Sequence, residues 1–331
     1  MGRGRSAGRG SRVNGWLTLG HYAEAWAASG DGDPYFRPEF LAAAALAEEG
    51  EPAAFGHDGV LYPFIVRPLA DGRCDITSAY GFGGPYGSGS WREPFRQECV
   101  QRGVVSEFVR FHPVRQNQQH AGDDVRLAKV QDVVVLDVQA DDEELVHRMV
   151  PQARNKLRKA IRAGVRAEPS RDLERFTQMY TDAMRGMGAA DHYLFGLEYF
   201  EALDALDDGL LMLDAGSAAA LFLVGAGAMH YFLSASTPEG RKSAAANLVI
   251  YEAMLRARDM GLEVLNLGGG LTEGDALHAF KRSFGPGEAP YHVGYAVHDP
   301  EAYRLLSEQA GADIEGGFFP AYRAPSAVSS G

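Results

Sequence analysis

The segment Tyr231-Phe232-Leu233-Ser234-Ala235-Ser236-Thr237-Pro238-Glu239-Gly240-Arg241-Lys242-Ser243-Ala244-Ala245-Ala246-Asn247 reads as a strand, a loop and the start of a helix. Its apolar beginning belongs to a strand over Ala228–Ser234. Its end opens a helix over Ala244–Met260, with Val249, Ile250, Ala253, Met254 and Ala257 on one face. A strand that enters a helix through small residues can offer backbone N–H groups to an anion; it can equally be an ordinary connection. Working outward, Gly225-Ala226-Gly227 joins this strand to another over Ala218–Val224. Downstream, a strand at Glu263–Leu267 runs into Gly268-Gly269-Gly270. A short helix, Asp275–Ser283, and a last strand, Tyr291–Val297, follow. Helices over Leu173–Arg185 and Gly196–Leu206 precede the hairpin.

The first half shows the same order. A helix is expected over Pro38–Glu49, then strands at Val60–Leu69 and Cys74–Tyr80 joined through Asp71-Gly72. A glycine-rich loop (81–87), a helix at Pro94–Arg102, strands at Ser106–Phe111 and Val130–Val138, and a helix over Asp142–Ala163 complete it. Each half has a hairpin, one ending in Ser78-Ala79-Tyr80 and the other in Ser234-Ala235-Ser236. The echo predicts two similar α/β (α+β) lobes, each a mixed, mostly antiparallel sheet flanked by helices. The first is expected over residues 15–165 and the second over 166–322. A disordered basic tail is expected at 1–14 and a disordered tail at 323–331.

Composition narrows the function. The chain has 331 residues, 46% of them hydrophobic, which is the composition of a folded protein with room for two cores. No apolar run approaches the roughly 18 residues of a membrane-spanning helix, and no secretory signal opens the sequence, so a cytoplasmic protein without membrane insertion is expected. Two cysteines, Cys74 and Cys99, exclude a disulfide framework. With scattered histidines and no metal-binding motif, no metal is expected. The net charge of −12 argues against indiscriminate nucleic-acid binding. Yet Pro151–Arg185 carries nine Lys/Arg against four Asp/Glu. There Arg154, Arg158 and Arg162 form a ridge at i, i+4, i+8, beside an apolar face of Val150, Ala153, Leu157, Ile161 and Gly164. This reads either as a solvated helix face or as a site for phosphates.

Four stretches together resemble the Fem family of aminoacyltransferases (FemABX-like), within the GNAT superfamily. They are Asn155-Lys156-Leu157-Arg158-Lys159-Ala160 with Gly164-Val165; Asp172 through Tyr180 and Met184 to Tyr193 and Phe195; Tyr231–Asn247; and Leu267-Gly268-Gly269-Gly270 with Phe280-Lys281-Arg282-Ser283-Phe284-Gly285. The likeness covers about residues 140–297 well and 15–140 more weakly. It implies two tandem GNAT-like lobes with a cleft between them. It also implies transfer of an amino acid from aminoacyl-tRNA, as co-substrate, to an amine of a small peptide-like acceptor. The acceptor would be a peptidoglycan precursor, or a peptide or amino natural product as in antibiotic biosynthesis. No heptad stretch is long enough for the coiled-coil arm of some members, so the armless type is the nearer likeness.

The resemblance places the family's Phe-Lys pair on Phe280 and Lys281. Lys281 is assigned to stabilising the tetrahedral intermediate or the tRNA 3′ end, with Phe280 stacking beside it. Arg154 and Arg158 are assigned to tRNA or nucleotide phosphates, Arg241 to the donor's phosphate, and Tyr80, Tyr193, Tyr231 and Asn247 to the acceptor cleft. An activated ester needs no covalent nucleophile and no further cofactor, only positioning, loss of a proton and oxyanion stabilisation. A monomer is expected. Two other readings stay open. Arg241-x-x-Ala244-x-Ala246 is similar to the pyrophosphate loop of GNAT acyl-CoA transferases, Arg/Gln-x-x-Gly-x-Gly/Ala, although Ala244 puts a Cβ where a glycine allows close approach. The other is a non-catalytic nucleic-acid or peptide-binding module on the same lobes.

Overall fold

The computed structural model describes residues 13–190 and 193–325. Of the two expected tails, residues 1–12 and 326–331 lie outside the described residues. The strands are β1 (Gly15–Thr18), β2 (Glu51–His57), β3 (Val60–Pro68), β4 (Cys74–Thr77), β5 (Tyr86–Gly87), β6 (Val104–Arg110), β7 (Arg126–Asp137), β8 (Glu168–Pro169), β9 (Leu210–Asp214), β10 (Ala218–Gly225), β11 (Ala228–Ser236), β12 (Val264–Gly268) and β13 (Glu288–Val297). The helices are α1 (Leu19–Ser29), α2 (Pro38–Ala47), α3 (Arg92–Gln101), α4 (Asp142–Arg148), α5 (Pro151–Arg162), α6 (Leu173–Gly186), α7 (Leu197–Asp204), α8 (Pro238–Ser243), α9 (Ala245–Asp259), α10 (Ala276–Arg282) and α11 (Pro300–Gln309).

All strands on the main path join one sheet in the order β1-β2-β3-β4-β6-β13-β7-β12-β11-β10-β9-β8, with β5 beside β3. Neighbours are antiparallel except at β4/β6 and β11/β12, one parallel pair in each lobe. The lobes are joined by exchanging strands. β7 follows β6 in the chain but pairs with β12 of the second lobe, Leu265 facing Leu136. β13, near the end of the chain, returns to β6 of the first, Val293 facing Arg110. Between them β7 and β13 pair from Glu288↔Val134 to Tyr295↔Arg126. The continuous ladder fixes the lobes against each other.

Helices cover both faces. On one face, α1 and α2 of the first lobe meet α6 and α7 of the second in a single core holding Tyr22, Phe36, Phe40, Phe176, Phe200 and Leu221. On the other face, α5 and α9 cover the second lobe. The five residues expected inward on α9 are all buried, together with Phe222 and Leu265. The first lobe's far face packs around Phe55, Tyr62, Phe64 and Phe95.

Four expectations need correction. The helix read over Asp142–Ala163 is two helices, because Pro151 stands at the first position of α5 and holds Val150 extended (φ −65°, ψ 153°). The buried stripe of α5 is Ala153, Leu157 and Ala160, whereas Ile161 and Val150 are exposed at 54% and 42%. The loop read at Thr237–Ser243 contains helix α8, capped by the Thr237 side chain and begun by Pro238. Finally, Arg323, read as part of a tail, is held by Asp75 at 2.5 Å and by the Pro68 carbonyl at 3.1 Å.

Candidate active site

The site begins where two parallel strands part. β11 and β12 pair only from Ala228↔Val264 to His230↔Asn266. Beyond that they diverge. A bulge in β11 sits opposite Leu221/Phe222, where Leu221 faces Leu233 and Phe222 faces Tyr231, leaving Phe232 as the extra residue. Strict alternation would put Tyr231 and Phe232 on opposite faces; the bulge lets both line the gap. The opening is a cavity of about 210 Å³. Tyr35, Tyr80, Gly81, Phe82 and Arg110 of the first lobe line it, as do Gln131, Tyr231, Phe232, Gly268, Gly269, Gly270, Lys281 and Tyr291.

Lys281 is the buried cation of this cavity, with 7% of its surface exposed. Its Nζ donates to the Gly269 carbonyl at 2.7 Å and lies 5.6 Å from the centre of the Tyr231 ring, within cation–π range. Among the described residues no carboxylate comes within ion-pair distance of it. Burial therefore pulls its pKa down to about 8, with only a partial counter-pull from Asp275. Asp275 caps α10 through the His278 N–H at 2.8 Å and accepts from Leu271 and Thr272 N–H, which ties the glycine loop to the helix that carries Lys281.

The glycine run is held by a residue absent from the sequence-based expectation. Gln131 donates to the Gly270 carbonyl at 3.1 Å and accepts from the Gly270 N–H at 3.0 Å. A Cβ on Gly269 would lie 2.5 Å from the Gln131 amide carbon, and one on Gly268 (φ +73°) 3.3 Å from Lys281 Nζ. The glycines are needed for close approach. Asn266 completes the corner: its Oδ1 accepts from the Gly268 N–H at 2.9 Å, and its amide contacts His230 Nδ1 at 3.2 Å. Behind the Tyr35 and Phe82 rings lies a buried polar cluster, in which His230 of the second lobe meets His112 of the first. His112 Nε2 is 3.3 Å from Asp33, and the His112 and His230 rings are 5.1 Å apart. Burial lowers both histidines to about 3, so both are neutral near pH 7, and it raises the Asp33 carboxyl.

The residues singled out from sequence separate into three groups. Lys281, Tyr80 and Tyr231 meet in the cavity. Tyr193 stands just beyond, its ring 5.9 Å from that of Tyr80, in an adjoining chamber. The remaining residues lie elsewhere. Phe280 turns away from Lys281, because consecutive helical residues point about 100° apart. Its ring meets Phe284 edge-on at 5.3 Å and packs on the second-lobe core, so the expected stacking beside Lys281 does not occur. Asn247 is buried in the first turn of α9 and does not line the cavity. Arg241 donates to the Ser236 carbonyl at 2.9 Å on the rim of a separate groove between α6 and α8. Arg154 and Arg158 lie on the outer side of α5, with no acid within ion-pair distance among the described residues. α8, bearing Arg241 and Lys242, packs beside α5.

Sequence reasoning missed Gln131, Arg110, Asn266, Tyr35 and Tyr291. Four of them sit in strands whose pattern says only which face they take, and Tyr35 sits in a single 3-10 turn, Pro34–Phe36, between α1 and α2. No group of three or more His, Cys, Asp or Glu placed to hold a metal occurs among the described residues. No helix there is long and apolar enough to cross a membrane.

No family model matches the sequence. No curated protein matches it either. Solved structures do. FemX superposes with a TM-score of 0.64 at 15% identity, covering 87% of this chain and 98% of FemX. A conserved protein of unknown function from Bacteroides thetaiotaomicron gives 0.57 at 13% identity, covering 85% and 98%. L-PGS from Bacillus licheniformis gives 0.52 at 13% identity, covering 77% and 87%. The fold is thus the one found in FemX, with the sheet and covering helices expected from sequence.

Proposed function

We propose that this protein is an aminoacyltransferase that moves an amino acid from aminoacyl-tRNA to an amine of a peptide-like acceptor. The observation that carries the reading is the buried Lys281 ammonium, without a carboxylate partner among the described residues, in a cavity walled by both lobes at the parting of β11 and β12. An aminoacyl ester is already activated. The acceptor nitrogen attacks its carbonyl carbon, the C–N bond forms, and the negative charge collects on the carbonyl oxygen. The C–O bond then breaks, and the released ribose hydroxyl takes up the proton the amine gives up. A desolvated cation beside that oxygen favours the intermediate far more than one in water does. Gln131 and Asn266 act through the loop, holding Gly268–Gly270 so that Lys281 keeps its place.

Phosphates of the donor have a natural partner in the outer face of α5. Arg154, Lys156, Arg158, Lys159 and Arg162, with Arg241 and Lys242 on α8, make a basic surface on an acidic protein. In this reading one chain suffices, since both walls of the cavity belong to it, and the reaction is cytoplasmic, where charged tRNA is found.

The acyl-CoA reading is disfavoured by the segment that would hold the pyrophosphate. The Gly240 N–H is bonded to Thr237 Oγ1 at 3.1 Å, the Arg241 N–H to the Thr237 carbonyl at 3.0 Å, and the Asn247 N–H to the Ala244 carbonyl at 3.0 Å. Ala244 occupies a left-handed conformation (φ +63°) between α8 and α9. Within the segment, the Arg241 N–H and the Ala244 N–H, which bonds the Gly240 carbonyl, are already committed to the protein.

The test is direct. The protein is mixed with a charged tRNA pool and candidate amines, with ribonuclease or acyl-CoA in parallel arms, and products are weighed by mass spectrometry. The expected result is the addition of one amino-acid residue, abolished by prior ribonuclease. Addition that survives the nuclease and requires CoA would replace this reading with the acyl-CoA one.

A further inference from the structure

The small cavity does not end at Tyr80 and Arg110. Both residues also line an adjoining chamber of about 510 Å³, whose walls include Phe108, Tyr295 and Phe319. Arg67, Arg110 and Arg323 line this chamber with Glu48, and the fully buried Asp75 stands behind them. The charges do not cancel. Asp75 accepts from Arg67 Nε at 2.7 Å and from Arg323 Nε at 2.5 Å. Glu48 accepts from Arg67 Nη1 at 3.2 Å but lies 3.8 Å from Arg110 Nη1, too far for a hydrogen bond. Three guanidinium groups face two carboxylates, and the unanswered positive charge falls on Arg110.

Arg110 is also fixed in place. Its Nη1 donates to the Ser78 carbonyl at 2.8 Å and to Thr77 Oγ1 at 3.3 Å, and its guanidinium carbon is 4.8 Å from the centre of the Phe108 ring. Its Nε and Nη2 have no protein partner among the described residues. Those two donors form the lateral edge of the guanidinium, the edge that grips a planar carboxylate through two parallel hydrogen bonds. One net positive charge matches a carboxylate and leaves a phosphate dianion undercompensated.

We propose that the acceptor is an amino acid or short peptide with a free carboxylate, held on the lateral edge of Arg110. Its amine reaches the small cavity beside Lys281, and its body lies against the aromatic wall of the chamber. This rests on the reading above that an amine attacks in this cavity, and it adds the chemical class of that amine. Arg110 is a specificity residue in this scheme: it recognises the acceptor and takes no part in the bond exchange.

The test uses the full chain and two probes that differ only at the carboxyl end, glycyl-L-tyrosine and glycyl-L-tyrosinamide. Binding to each is followed by NMR titration without any donor. The wild-type protein is expected to bind the acid at least about tenfold more tightly than the amide. Arg110→Gln is expected to remove that difference, while Arg110→Lys, which keeps the charge and loses the two-pronged edge, retains part of it. Circular dichroism checks that both variants fold, and the wild-type comparison of the two probes needs no variant. Equal binding of acid and amide, no binding of the acid at about 10 mM, or a preference that survives in Arg110→Gln would overturn the proposal. Arg110-dependent binding of the acid without aminoacylation from charged tRNA would uphold it and sink the transfer reading instead. Transfer to amines regardless of a carboxylate would do the reverse.

Discussion

The two parallel strand pairs, β4/β6 in the first lobe and β11/β12 in the second, start alike and end differently. In each, the strands pair briefly and then part, the first after Thr77↔Phe108 and the second after His230↔Asn266. The first gap is stitched shut. The Ser78 N–H donates to the Phe108 carbonyl at 3.0 Å, the Arg110 N–H to Ser78 Oγ at 2.8 Å, and the Gly83 N–H to the Arg110 carbonyl at 2.7 Å. Asn117 then bonds the Gly83 and Pro85 carbonyls and accepts from the His112 N–H. In the second gap the corresponding space stays open, and a lysine stands in it. Satisfied backbone makes one gap structural. Leaving the other open, with a buried ammonium beside it, makes it a place for chemistry.

That contrast can be broken from either side. Lys281→Ala acts on the open gap and is expected to lower kcat for transfer by 10²- to 10³-fold, about 3–4 kcal/mol. Its melting temperature should stay near wild type, and unchanged turnover would remove the central assignment. Gly269→Ala pushes a methyl into Gln131 and displaces the loop. Transfer is expected to fall by roughly 10- to 100-fold and stability by about 1–3 kcal/mol, read by kinetics and by urea unfolding.

The pH profile sharpens the same point. Lys281 holds its proton only below about 8 in the folded protein, against 10.5 for an ordinary lysine. The useful charge is therefore present below that value and lost above it. kcat should decline by about tenfold per pH unit once the pH is well past 8. Between about 8 and 10.5 the unfolded chain binds more protons than the folded one, so this residue's contribution to stability rises with pH across that window. Titrations of kcat and of unfolding free energy should thus slope in opposite directions there, and Lys281→Ala should flatten both slopes.

The closed gap should behave in the opposite way. Asn117→Ala strips three hydrogen bonds from buried backbone and is expected to destabilise the fold by about 2–3 kcal/mol in urea, while transfer per folded molecule is unchanged. The smallest effect is expected from the outer surface. Arg154→Glu with Arg158→Glu should raise the KM for charged tRNA several-fold at low salt, and should lower the slope of log affinity against log salt by about 2. kcat should not move, and the difference from wild type should fade as salt is added.

How much of this was legible beforehand follows from how each feature is encoded. The α9 face could be read because apolar residues repeat at helical spacing and nothing interrupts them. Lys281 was legible through the resemblance of its glycine run and Phe280-Lys281 pair to the Fem family. The same adjacency misled about Phe280, since consecutive helical residues point about 100° apart and Phe280 turns to the second-lobe core. Pro151 carried a readable stop signal within the long helix expected around it. Gln131 and Arg110 gave no local sign, because a polar residue in a strand looks the same whether it faces water or locks a loop 139 positions away.

By itself the sequence determined the alternation of strands and helices, the two-lobed plan, and the three side chains Lys281, Tyr80 and Tyr231 that share the cavity. The first two are consequences of periodicity and of residue type, which act over a few positions; the three side chains came from the resemblance to the Fem family. Only the tertiary structure decided that β7 and β13 change lobes, that one of two similar gaps is sealed, and that Arg110 is left with donors to offer. The reason is physical: backbone hydrogen bonds between strands are chemically identical whichever strands make them, so partner choice is settled by the packing of the whole sheet.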